Sequence, residues 1–505
     1  MQGDEMKPDM AQAFDGPSFD NSYARLPARF YSQQLPDPVT APGKIRINHE
    51  LASQLGFSPD WLESKQGLEM VAGNFIPEGA EPIATVYAGH QFGGWSPQLG
   101  DGRAVLLGEV LASDGQRYDI QLKGSGRTPY SRGGDGRAPL GPVLREYILC
   151  EAMAVLGVPT SRALGAVTSG EMVMRQGRID GAVLARIAKS HIRIGTFQYF
   201  AAKNDTEALK LLAEHVIQRH YPQAAQAEHP VRAMLDHVVA AQAGLIAQWQ
   251  LLGFIHGVMN TDNMLLSGET IDYGPCAFVD QFDPAAVYSS IDHNGRYAYR
   301  NQPPIAHWNL SRLVLALLPL LNDDQEQALA SGQAAIDAFP NLFQAAYRQG
   351  MAEKLGLKTI SEEDESLVQD LLALMQQEKT DFTLCFRRLA ELADPDAVTS
   401  NTVSPIFDFS DAFQPWLRKW QKRLATETTN SSERQASMFA VNPAFIARNH
   451  LVEEAIEAAA NEENFAPFNK LLERLSKPFE FASCDARLAT PPQADQIVQQ
   501  TFCGT

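Results

Sequence analysis

His256-Gly257-Val258-Met259-Asn260-Thr261-Asp262-Asn263-Met264 closes a long apolar segment and leads into Leu265-Leu266, and Ile271-Asp272-Tyr273-Gly274-Pro275 follows shortly after. A loop that gathers histidine, asparagine and aspartate beside apolar segments carries groups that are costly to bury without a purpose. Asp262 and Asn263 offer hard oxygen ligands or a base. Ile271 and its neighbours read as a short strand whose end projects the Asp272 carboxylate toward a metal. Magnesium takes one or two protein carboxylate or amide oxygens and completes its shell with phosphate oxygens, and Asn263 with Asp272 fits that need.

Upstream, three further pieces stand in order. Gly100-Asp101-Gly102-Arg103 lies at the mouth of a strand, Arg103–Leu111. Glycines there let backbone N–H groups approach phosphate oxygens, and a plain turn is the alternative. Ser113-Asp114-Gly115-Gln116 is a turn, and Tyr118–Lys123 alternates apolar and polar residues at strand period, so the two strands form a hairpin. Lys123, at its end, is either an edge lysine in solvent or a group that neutralises nucleotide phosphates. Pro142–Gly157 repeats apolar residues at helical spacing and stops at Gly157-Val158-Pro159. Glu146 within it either faces solvent or turns to the sheet and pairs with Lys123, while Arg145 and Glu151 read as solvent-facing.

Singly these signals are weak. In this order (glycine-rich hairpin, strand lysine, helix glutamate, His/Asn loop, Asp-aromatic-Gly) they form the part list of a protein-kinase active site. The expected fold is α+β: a two-lobed protein-kinase-like fold with a small strand-rich N-lobe, a larger helical C-lobe, ATP between them, and N- and C-terminal extensions. The expected boundaries are 1–75 for the N-terminal extension, 76–190 for the N-lobe, 191–450 for the C-lobe and 451–505 for the C-terminal helices and tail. One position departs from the kinase pattern. The kinase catalytic aspartate stands five residues before the metal-binding asparagine. Counted back from Asn263, that position is Val258, which cannot accept a proton, and the nearest carboxylate is Asp262.

The rest of the chain fits the same division. Strand signals run from about residue 83 to 190, with a further hairpin of Glu171–Arg175 and Ala182–Ile187 around Gly177–Gly181. Helical period then takes over, in Val231–Leu252 ending at Gly253, Asn309–Leu321, Asp364–Gln377 and Leu451–Ala460. Strands first and helices after point to segregated α+β parts, not βαβ units. Thr426–Gln435 is polar and reads as an exposed loop, and residues 1–40, polar and proline-rich, read as an extended surface arm.

Of 505 residues, 45% are hydrophobic and 20% charged, which is a globular balance with ample material for a large core. Acidic residues outnumber basic ones 60 to 42, a formal charge of −18. That charge argues against nucleic acid or an anionic membrane as partner, and leaves room for a local basic pocket. Cys150, Cys276, Cys385, Cys484 and Cys503 include no CxxC pair, against structural zinc and against a secreted disulfide framework. The first residues, MQGDEMKPDMAQAFDGPSFDNSY, lack the apolar segment of a signal peptide, and no apolar run reaches membrane-spanning length. A cytoplasmic monomer is expected.

The stretches YAGHQFGGWSPQLGDGRA, QLKGSGRTPYSRGGDGRAPLGPVLREY, HGVMNTDNM and TIDYGP resemble the selenoprotein O family, whose members are protein-kinase-like adenylyltransferases. The resemblance runs from about residue 20 to the end. It implies ATP bound end for end relative to kinases, so that a hydroxyl attacks the α-phosphate and pyrophosphate leaves. It implies nucleotide contacts at Gly100, Gly102, Arg103, Asp135, Gly136 and Asp272, and phosphate contacts at Lys123, Arg186 and Arg193. Glu146 then pairs with Lys123, Asn263 and Asp272 bind Mg²⁺ (or Mn²⁺), and Asp262 is the base. From the residues alone, Arg193 reads as a surface side chain and Asp135 as a turn residue. The family often carries selenocysteine or cysteine near the C-terminus. Cys503 stands there, on a tail, Gln499–Thr505, that reads as mobile. A reversible disulfide between Cys503 and Cys276 that gates the site, and two free thiols, are both open.

Three functions share these parts: transfer of AMP from ATP to Ser, Thr or Tyr hydroxyls of protein substrates, kinase-like phosphotransfer, and an ATP-binding pseudokinase scaffold. Val258 and the paired arginines favour the first. The complete set of Lys123, Glu146, Asn263 and Asp272 argues against a scaffold, which needs no metal site.

Overall fold

A computed structural model describes residues 14–175, 177–394 and 402–502. The chain mixes helix and sheet and divides into two compact units. The first lies within Met1–Val86, Gly100–Val143 and Ala163–Lys189, the second within Tyr87–Leu99, Leu144–Arg162 and Ser190–Thr505.

The first unit is built on an antiparallel sheet. Ala104–Leu111 and Arg117–Lys123 form the expected hairpin, with Lys123 opposite Ala104. The next hairpin is longer than its expected pieces, with strands Arg162–Met174 and Arg178–Ala188. In the sheet, Tyr31–Gln33 and Ile83–Thr85 lie to one side of Ala104–Leu111, and Gly43–Ile47 pairs with Arg162–Met174 at the other edge. Strand period sends alternate side chains to opposite faces. One face buries Leu107, Ile120, Leu122, Val183 and Ile187 against Leu51, Leu55, Trp61 and Met70, which come from helices His49–Leu55, Pro59–Glu63 and Lys65–Ala72. Gln121 and Lys123 therefore point to the other face, and Arg186, opposite Gln121 in register, joins them there.

The described part of the expected surface arm, residues 14–40, is packed into this unit. Main-chain bonds tie Asp20 to the Glu109 carbonyl (2.8 Å), the Glu109 carboxylate accepts from Ser22 Oγ and the Tyr23 N–H, and Tyr23 and Phe30 are buried. A carboxylate placed inward at 109 needs donors, and residues 20–23 supply them.

The second unit is mainly helical. Helix Pro230–Leu252 ends as expected at Gly253, whose φ is 71° and whose Cβ position lies 2.8 Å from the Phe382 ring, so both backbone and packing call for glycine. Its core gathers Ile255, Val279, Leu355, Met375, Phe382, Phe386, Leu389, Trp416 and Trp420. The stretch Tyr299–Leu321 is long and apolar enough to cross a membrane by length and composition, contrary to expectation, and 44% of its most apolar window is buried inside the protein. The expected loop at Thr426–Gln435 gives way to a helix, Ser431–Val441. Asn430 caps it by accepting from the Glu433 N–H at 2.8 Å, and Arg434 and Gln435 are buried on the carbonyls of Leu424 and Glu391.

Candidate functional site

After Gly253 the chain forms a two-residue strand, Phe254–Ile255, paired with Ala277–Phe278. That pairing sets the 256–263 loop beside 270–276. His256 is fully buried and joins the two: its Nε2–H donates to the Ile271 carbonyl at 2.8 Å, and its Nδ1 accepts from the Val258 N–H at 3.4 Å. Burial lowers its pKa, so the ring is a neutral structural tie. Gly257, at φ 80°, allows the close approach, since a Cβ there would lie 2.6 Å from the Pro275 carbonyl oxygen.

The expected strand at Ile271 does not form. Thr270 makes a single bridge to Thr160, and the chain then turns at Asp272 with φ 62°, a left-handed conformation that non-glycine residues seldom adopt. The Asp272 carbonyl accepts from the Gly274 N–H at 2.9 Å, closing the turn. Asn263 Nδ2 donates to the Val258 carbonyl at 2.8 Å, which fixes the amide and presents Oδ1 as its accepting end. Asp262 is buried; its Oδ2 accepts from Gln91 Nε2 at 3.0 Å, and its Oδ1 has no hydrogen-bond partner. Burial pushes its carboxyl up to about 6.

Arg193 is buried, not on the surface as its sequence context suggests. Residues 192–194 pair with 264–266, through the Ile194 N–H to Met264 and the Leu266 N–H to Ile192, and this delivers Arg193 to the loop. Its Nη1 donates to the Asp262 carbonyl at 2.5 Å and to Asp272 Oδ2 at 2.8 Å, and its guanidinium lies 4.7 Å from the Tyr87 ring centre. Asp262, Asn263, Asp272 and Arg193 thus form one cluster. Among the described residues no group of three or more His, Cys, Asp or Glu side chains is arranged to hold a metal. The Asn263–Asp272 pair is a two-oxygen set, which suits an ion that draws its other ligands from phosphate and water.

The first unit holds the other sequence-derived residues. Gly100 has φ 112°, and a Cβ there would lie 2.5 Å from the Tyr130 ring, so packing alone requires glycine. Asp101 is buried and accepts from the N–H and Oγ1 of Thr85, at 3.0 and 2.6 Å, which holds the Gly100–Arg103 turn in shape. Asp135 is more than a turn residue: Arg175 donates to it at 2.8 and 3.1 Å and holds its carboxyl low. Gly136, at φ 70°, packs on the Gly126 carbonyl. Arg186 is buried and bonded to Gln121 on the Lys123 face. Glu146 is buried, in the second unit.

Two expectations about neighbours fail. Arg145 is buried, donating to the Cys276 carbonyl at 3.2 Å and to Glu453, and Glu151 is half-buried and paired with Arg162 at 2.7 Å. Mobility was expected of Gln499–Thr505, and within its described part Thr501 is pinned. Thr501 is buried, its Oγ1 donates to the Pro275 carbonyl at 2.7 Å, and its N–H donates to Tyr288 at 2.8 Å. Cys276 is buried, and Cys503, and with it the question of a Cys276–Cys503 bond, lies outside the described residues. Sequence reasoning gave Gln91 no role. Its one signal is a polar pair, His90-Gln91, set among glycines and aromatics in YAGHQFGGW.

The chain is 56% identical over 487 residues to the protein nucleotidyltransferase YdiU of Rhodopseudomonas palustris strain HaA2, covering 96% of this chain and 99% of that one. The YdiU proteins of Bradyrhizobium diazoefficiens and Methylorubrum extorquens strain PA1 are 56% and 55% identical with the same coverage. A family described as protein adenylyltransferase SelO matches residues 16–476. The class is therefore an enzyme of the protein nucleotidyltransferase type. Within that class, the chain belongs to the SelO family of protein adenylyltransferases.

Proposed function

We propose that the chain transfers AMP from ATP to Ser, Thr or Tyr hydroxyls of proteins and releases pyrophosphate, on a two-lobed protein-kinase-like framework. The observation that carries this reading is the exchange of roles between Val258 and Asp262. Val258, at the kinase base position, contributes its carbonyl to Asn263, whereas Asp262 keeps an unpartnered, buried carboxylate oxygen next to the Asn263–Asp272 pair. In the proposed step Asp262 Oδ1 takes the hydroxyl proton and the hydroxyl oxygen bonds to the α-phosphorus. The bond between that phosphorus and the oxygen bridging to the β-phosphate breaks, and pyrophosphate leaves with the bridging oxygen.

Asn263 and Asp272 are the residues that would hold Mg²⁺ or Mn²⁺, which supplies charge neutralisation at the phosphates when bound. Lys123 and Arg186 are proposed phosphate contacts, supported by their shared sheet face. Gly100, Gly102, Arg103, Asp135 and Gly136 are proposed nucleotide contacts. Arg193 is proposed to serve phosphate as well; its bond to Asp272 already orients that carboxylate. Intact-mass analysis of an acceptor protein after incubation with ATP and Mg²⁺ tests the reading. One adenylyl group gained supports it, and one phosphoryl group gained, or no change, opposes it.

A further inference from the structure

A short hairpin, Gly89–Gln91 paired with Gly94–Ser96, meets the 260–262 loop residue by residue. The His90 N–H donates to Thr261 Oγ1 at 2.7 Å, Gln91 Nε2 donates to Asp262 Oδ2 at 3.0 Å, and the Phe92 N–H donates to Asn260 Oδ1 at 3.0 Å. The strand is itself held in place. The Ala88 N–H bonds the Gly195 carbonyl at 2.9 Å, and His90 Nδ1 accepts from Gln198, whose Oε1 accepts from Thr261 at 2.6 Å. Gly89 completes the arrangement, because a Cβ there would lie 2.4 Å from Asp262 Oδ1. Two of these three contacts join main chain to side chain and set the loop's path. Only the Gln91 contact is made to the carboxylate itself.

A carboxylate has two equivalent oxygens and rotates about its Cβ–Cγ bond unless a donor distinguishes them. Here one oxygen takes the Gln91 amide and the other faces the space left by Gly89 without a partner. We propose that Gln91 is a positioning residue for AMP transfer: its amide holds Asp262 Oδ2 so that Oδ1 alone is presented to the acceptor hydroxyl. The assignment rests on the AMP-transfer reading and adds to it a residue that acts through Asp262.

Two variants test it. Gln91→Ala removes the donor and the bulk, and Gln91→Glu keeps length and shape while replacing the N–H donor with a second carboxylate. Both are measured for kcat and for KM of ATP with α-labelled ATP and an acceptor protein, alongside melting temperature. A positioning role predicts kcat down about tenfold or more in both variants, with KM for ATP and melting temperature close to wild type. A role in filling space predicts near-normal kcat in Gln91→Glu and overturns the proposal, as does wild-type kcat in Gln91→Ala, or a loss in either variant that melting alone explains. Wild-type enzyme in the same assay separates the two levels. If it transfers no α-label the AMP reading fails and this assignment with it, whereas normal wild-type transfer with unaffected variants removes the assignment only.

Discussion

Replacing Gly89 by alanine should disable the site without unfolding it. Gly89 is not among the glycines with positive φ, so its backbone accepts a side chain, and the added Cβ is the whole perturbation. That carbon would stand 2.4 Å from Asp262 Oδ1, 2.9 Å from its Cγ and 3.0 Å from Leu99 Cδ1. Ordinary contact begins near 3.4 Å, so the oxygen must withdraw by 3.4 − 2.4, about 1 Å. The side chain can do so by rotating, at the expense of the 3.0 Å bond from Gln91. A displacement of about 1 Å in a reacting group typically lowers the rate about 100-fold, which is about 2.7 kcal/mol in the barrier. The assay is kcat for AMP transfer at saturating ATP, with KM for ATP and a melting curve on the same preparation. The expected outcome is kcat down about 100-fold with KM within about threefold of wild type. A folded Gly89→Ala protein with wild-type kcat would refute the reasoning, since Asp262 would then tolerate displacement and could not be the base.

Two further perturbations probe other parts of the account. Asp272→Asn keeps a residue that tolerates the left-handed φ of 62° but removes the charge paired with Arg193. It should abolish Mg²⁺-dependent ATP binding in calorimetry and lower kcat about 1000-fold, near 4 kcal/mol, and unchanged metal-dependent binding would remove Asp272 from the metal site. Lys354 is buried with its ammonium over the Phe386 ring, 4.2 Å from the centre, and desolvation brings its pKa down to about 7. Because the folded value lies below the unfolded one, the unfolded chain binds the extra proton between about pH 7 and 10.5, so this group's contribution to stability rises with pH across that window and its full cost is felt below it. A gap of roughly 3.5 pH units is worth at most about 5 kcal/mol, and Lys354→Met should therefore raise the urea midpoint more at pH 6 than at pH 9. An equal gain at both values would show that the lysine titrates normally.

Local signals carried much of the fold and less of the site. The turn at Ser113–Gln116 and the stop at Gly253 are written in neighbouring residues, and both stand where the sequence places them. The three helices within 49–72 also carry local signals, because Asn48, Ser58 and Ser64 each accept from an N–H three residues on, yet their shortness hides any apolar period. Burial of charged residues is different in kind. Arg145 is stabilised by groups 131 and 308 residues away, and Gln91 meets Asp262 across 171 residues. No window of sequence holds both partners of such contacts, so the same residues read as solvent-facing or go unnoticed. The left-handed turn at Asp272 is hidden for a related reason: it is imposed by the bond of Thr270 to Ser161 behind it and the Gly274 turn ahead.

The most direct test of AMP transfer is incubation of the purified enzyme and an acceptor protein with Mg²⁺ and ATP labelled on the α-phosphate, in parallel with ATP labelled on the γ-phosphate, followed by denaturing separation. Val258 at the kinase base position, with Asp262 keeping a buried, unpartnered carboxylate oxygen, predicts α-label retained on protein and no γ-label. Stable γ-label on protein with none from the α-position would contradict the account and return the chain to kinase-like phosphotransfer.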